Sequence, residues 1–94
     1  MIRSFKGEFA ELILNGRKVP KGFQTDIAKV ARRKLVQLDS VTTLEEMAIP
    51  PGNRLEALRG DLAGLHSVRI NDQWRVVFRW TEAGPEEVEI THYH

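Results

Sequence analysis

The sequence predicts an α+β domain in which N-terminal helices pack on one face of a mainly antiparallel, twisted sheet. Three observations carry that prediction. Helical periodicity is confined to the first half of the chain, two-residue alternation dominates the second half, and turn residues separate the alternating runs at hairpin spacing. At 94 residues, 41% of them hydrophobic and 29% charged, the chain can bury one modest core and reads as a single domain over residues 1–94.

The elements follow in order. "MIRSF" reads as a short first strand, and "GEFAELIL" places Phe9, Leu12 and Ile13 on one helical stripe that Asn15 and Gly16 bring to an end. After the loop "GRKVPKGF", the segment Gln24 to Asp39 spaces Ile27, Val30, Ala31, Leu35 and Leu38 as an amphipathic helix does. Thr42 and Glu45 have capping-box spacing, so "TLEEM" predicts one more helical turn before "IPPGN" breaks the chain. The short "RLEAL", then "LHSVRI", "WRVVFRW" and "EEVEITHY", read as strands.

The central hairpin has a preferred register. With Asn71–Gln73 as its loop, Ile70 faces Trp74, Arg69 faces Arg75 and Val68 faces Val76, so each pair matches in kind, whereas a two-residue loop would mix the faces. Val68, Ile70, Trp74, Val76, Phe78 and Trp80 then form a core face, and Arg69, Arg75 and Arg79 share the other with Ser67 and Val77. Like charges opposed across a hairpin destabilise it. Two remedies are open: Glu87 or Glu89 on the next strand, or a bound phosphate held in the fork geometry of the guanidiniums.

The chain ends "THYH". His92 and His94 alternate as a two-histidine metal clip would, but a third ligand would have to be His66, which alternation puts on the core side, and the expectation is no metal. His94 can be read as a proton-transfer group titrating near neutrality or as a solvated chain end. With no cysteine, no long apolar run and no signal-peptide core, the expected setting is the reducing cytoplasm, with no membrane partner. A net charge of +1 excludes a globally basic nucleic-acid binder, so any RNA contact must be local and helped from outside.

"LRGDLAG", "SVRINDQWRVVFRW" and the final "YH", with the opening "MIRSF", together resemble the HigB-type toxins of the RelE/ParE superfamily, small bacterial proteins encoded beside an antitoxin. The resemblance spans essentially the whole chain. It implies a RelE-like fold and a ribosome-dependent endoribonuclease that cleaves mRNA without a metal or other cofactor, inhibiting translation and arresting growth. The implied partners are the ribosome, mRNA and a cognate HigA-like helix-turn-helix antitoxin, with operator DNA reached only through the antitoxin complex.

Position by position, the resemblance makes Tyr93 and His94 catalytic and Arg75 the phosphate-binding arginine, with Arg69, Asn71 and Arg79 contacting RNA. Two further members of the catalytic set depart from the family pattern: Arg59 replaces a lysine in "LRGD", and His92 replaces the aspartate of "DYH". A guanidinium keeps the charge of lysine but is a poorer proton donor. "KVARRK", Lys29 to Lys34, is either a solvated helix face or a contact for ribosomal RNA. The alternative functions are a ParE-like inhibitor of DNA gyrase acting by contact, and a toxin weakened at Arg59 and His92 that mainly binds its antitoxin.

Overall fold

Helices α1 (Phe9–Leu14) and α2 (Thr25–Ser40) precede strands β1 (Glu56–Ala57), β2 (His66–Arg69), β3 (Trp74–Thr81) and β4 (Gly84–His92) in the computed structural model, which describes residues 1–16, 21 and 23–92. The strands form one antiparallel sheet in the order β1-β2-β3-β4. One face of the sheet presents Val68, Ile70, Val76, Phe78, Val88 and Ile90 to Ala28, Ala31, Leu35 and Leu38 of α2 and Ala10 and Ile13 of α1. Trp74 and Trp80 pack at the margin of this core. The predicted architecture therefore holds, with the helices on the face that alternation marked as apolar.

Between α2 and β1 the chain makes two 3₁₀ turns, Leu44–Ala48 and Pro51–Asn53. The expected Thr42–Glu45 capping box does not form: the turn is 3₁₀ and starts one residue later, its N-cap Thr43 makes no side-chain capping bond, and the Thr42 amide donates instead to the carboxylate of Glu46 (2.9 Å). A buried polar hub ties this segment down. The Lys34 ammonium donates to Asn53 Oδ1, and Asn53 Nδ2 donates to the carbonyls of Met47 (3.0 Å) and Ile49 (3.3 Å) and to Gln37 Oε1 (3.2 Å). Lys34, read from sequence as part of a basic surface, is thus buried, while Lys29, Arg32 and Arg33 stay exposed. Burial, followed by the charges of Arg33 and Arg69, lowers the Lys34 pKa.

"MIRSF" forms an edge and not a continuous strand. The Arg3 amide donates to the Pro85 carbonyl (2.7 Å), Val88 N–H to the Ser4 carbonyl (3.1 Å), and Lys6 N–H to the Val88 carbonyl (2.9 Å), with one parallel bridge at Phe5. A bulge in β4 interrupts the ladder here, because Glu87 takes positive φ (53°) and the register slips between Val77 and Arg79. The slip has a packing consequence. Strict alternation from Val88 would turn Glu86 toward the core; the extra residue sends Glu86 to the Arg79 side and buries Pro85 opposite Trp80 instead.

Candidate functional site

The hairpin register sets the site. Arg69 pairs with Arg75, Val68 with Val76 and Ser67 with Val77, as the three-residue loop requires. That loop lacks glycine, and Asn71 does the work instead: its Oδ1 accepts from the amides of Gln73 and Trp74 (2.8 Å each), holding the turn by a side-chain mimic of a backbone bond. Asn71, expected to contact RNA, is therefore the hairpin's brace through its oxygen.

The arginines find carboxylates, though not all in the expected place. Arg69 is bridged by Asp72 within the loop, a partner that alternation on the strands could not indicate. Arg79 donates to Glu87 (2.8 Å), one of the two glutamates anticipated for this face. The guanidinium bond and charge of Arg79 hold the Glu87 carboxyl below the ordinary glutamate value, outweighing desolvation, with a smaller contribution from Lys6. Arg75 stands between these two pairs, on the strand position opposite Thr91.

The segment after β1 folds over the same face. Leu58 N–H bonds to the Leu65 carbonyl (2.9 Å), closing a loop that contains the 3₁₀ turn Gly60–Leu62. Gly64, at φ 93°, lies against Arg79 so closely that a Cβ there would come within 3.1 Å of the guanidinium. Ser67 and Val77 are consequently buried although they lie away from the main core. Between this loop and the N-terminal edge runs a cleft of about 150 Å³, lined by Leu62, Leu65, Arg75, Val77, Thr91, Glu87, Glu89 and Lys6. Its floor is β3 and β4; Leu62 and Leu65 form one wall and Lys6 the other. Arg75 and Lys6 share this groove with the carboxylates of Glu87 and Glu89, so a phosphodiester held there by the two cations would take the place of those carboxylates as their counter-charge.

The other residues that the family resemblance or the two-histidine pattern singles out fall elsewhere. Arg59 is exposed at the start of the 60–62 turn and does not line the cleft. His92 pairs with Trp74 and packs on its indole, ring centroids 3.8 Å apart, so it lies on the core face while Arg75 and Thr91 lie on the other. His66 packs on Phe78. Phe78 and Trp74 are four residues apart on β3, about 13 Å at strand rise, which is too far for His66 and His92 to share a metal. Among the described residues no cluster of three potential metal ligands forms. Tyr93 and His94 lie outside the described residues; the described part of β4 ends at His92, one residue beyond the partner of Arg75. Sequence reasoning missed Lys6 and Asp72 as neighbours of the arginine face. The alternation of Phe5 inward and Lys6 outward was the available signal for Lys6.

A family model described as the RelE-like toxin of the type II toxin–antitoxin system HigB matches residues 3–93. Toxin HigB-1 of Vibrio cholerae serotype O1 is 35% identical over 82 residues, covering 87% of this chain and 86% of the relative. An uncharacterized protein of Haemophilus influenzae is 29% identical over 56 residues, 60% of this chain and 55% of that one. The fold, the arginine-bearing hairpin and these matches over nearly the whole sequence agree, and the chain belongs to the HigB-like toxins of type II toxin–antitoxin systems.

Proposed function

We propose that this toxin is a ribosome-dependent endoribonuclease that cleaves mRNA and is neutralised by a HigA-like antitoxin. The observation that carries the reading is the cleft holding Arg75 at the end of β4, directly before the two residues that the family resemblance makes catalytic. In this reading the ribose 2′-hydroxyl attacks the adjacent phosphorus, Tyr93 and His94 serve the proton transfer, and Arg75 neutralises the equatorial oxygens. Arg79 and Arg69 reach RNA by exchanging Glu87 and Asp72 for phosphate, an exchange open to exposed pairs because they are weak.

The ribosome requirement suits the charge. A chain of net charge +1 in which Arg69 and Arg79 are already ion-paired holds free RNA poorly, and a ribosome that presents the message in place supplies the missing orientation. The test is expression of the wild type, His94→Ala and Arg75→Ala while growth is followed and 5′ ends of transcripts are mapped. Wild type should arrest growth and generate new 5′ ends within reading frames, and both variants should lose these effects. Intact transcripts together with inhibited supercoiling by gyrase would replace this reading with the ParE-like one.

A further inference from the structure

Lys6 is the cation in the cleft that neither the sequence pattern nor the family resemblance singles out. Phe5 packs toward the core, so Lys6 alternates to the arginine face, and its amide is fixed to the Val88 carbonyl (2.9 Å). The side chain stands on a ridge. On one side is the 150 Å³ cleft with Arg75 and Thr91, and on the other an opening of about 260 Å³ lined by Gly7, Glu8, Phe9, Glu89 and Ile90. Glu87 and Glu89 are its neighbours, yet among the described residues Lys6 makes no ion pair, since Glu87 is taken by Arg79. The main chain of Lys6 is thus fixed at the edge of the cleft, and its exposed side chain leaves the ammonium available.

Resting on the nuclease reading above, we propose that Lys6 is a catalytic residue, the general acid that protonates the leaving 5′-oxygen. A message strand crossing the ridge sets its scissile phosphate against Arg75 and its leaving nucleotide toward the second opening, which brings the departing oxygen to Lys6. The 2′-oxygen forms a bond to phosphorus and gives its proton to the base. The P–O5′ bond breaks, its electron pair goes to O5′, and Lys6 supplies that oxygen with a proton. The products are a 2′,3′-cyclic phosphate and a 5′-hydroxyl, and the neutral amine recovers its proton from water. This assignment answers the departure at position 59: a guanidinium is a poor general acid and Arg59 stands outside the cleft, whereas the N-terminal edge carries a lysine into it.

The experiment uses ribosomes programmed with a short message carrying either the normal phosphodiester or a 5′-bridging phosphorothiolate at the cleavage site, whose sulfur leaves without protonation. Lys6→Ala and Lys6→Arg should each slow single-turnover cleavage of the normal message about 10²-fold or more, in the range for loss of a general acid. Apparent affinity should stay near wild type for Lys6→Arg. Both variants should cleave the phosphorothiolate message at close to the wild-type rate. A full rate for Lys6→Arg, or a loss that the sulfur substrate does not repair, overturns the assignment while leaving the nuclease reading intact. A wild-type protein that cleaves neither message overturns both. Because Lys6 is exposed, the variants should melt with the parent, which separates chemistry from folding.

Discussion

The two faces of the β2–β3–β4 sheet are built from alternate residues of the same strands, yet they are stabilised by different physics. The core face is a continuous apolar layer in which Val68, Val76, Phe78 and Val88 are completely buried against the helices. The arginine face is a row of cations spaced along β2 and β3, two of them held by exposed carboxylates, with Ser67 and Val77 sheltered under the 58–65 loop. The lesson is a division of labour at single-residue resolution. Substitutions on the first face should act on folding and those on the second on chemistry, even at adjacent positions.

Phe78→Ala should produce the largest stability effect, about 3–5 kcal/mol, because it empties a fully buried aromatic site between sheet and helices; chemical denaturation measures it. Arg75→Ala, three residues away on the same strand, should leave the melting temperature close to the parent's and slow cleavage roughly 10²–10³-fold, the loss typical of removing a group that stabilises transition-state charge. If Arg75→Ala unfolded the protein, the contrast between faces would be lost. Asn53→Ala removes the acceptor of a buried ammonium and should destabilise by about 1–3 kcal/mol, with Lys34→Met in the same background recovering part of the loss. A double-mutant cycle reads the coupling.

Glu87→Gln should have the smallest effect, and its pH dependence sharpens the comparison. Arg79 holds the folded-state pKa of Glu87 below the ordinary 4.5, so the unfolded chain takes up the proton first as pH falls. The pair therefore stabilises the fold above the ordinary glutamate value and loses that contribution as pH drops through the depressed one. The small difference in melting temperature between Glu87→Gln and the parent should be present at neutral pH, vanish in acid and shrink in high salt. A difference that persists unchanged in acid would place the effect in packing instead of charge.

The parts of this molecule legible in its sequence are those governed by period and by hairpin closure. Apolar spacing marks α2, and the matching of Ile70 with Trp74 and Arg69 with Arg75 specifies the register that β2 and β3 adopt. What escaped was set by tertiary contact. The bulge at Glu87 reverses the alternation of β4 through one backbone conformation, which a binary pattern cannot encode. Lys34 reads as a surface cation because only the return of Asn53 from a distant turn buries it. Of the candidate site, the arginine row was legible from alternation. The facing of Lys6 toward Arg75 was not, since it depends on the N-terminal edge docking beside β4. His92, which stands where the family pattern has an aspartate, follows the strand's own alternation onto Trp74 and so lies on the face opposite Arg75.

That docking joins residues separated by nearly the whole sequence, such as the Ser4 hydroxyl and the Glu87 amide at 2.9 Å. A chain still emerging from its own ribosome has Lys6 in hand long before it has Glu89 and Thr91, so one bank of the groove waits for the other until synthesis reaches β4. Contact order here becomes a timer: the two banks of the groove, Lys6 on one side and Glu89 with Thr91 on the other, can meet only once β4 is available to dock against the N-terminal edge.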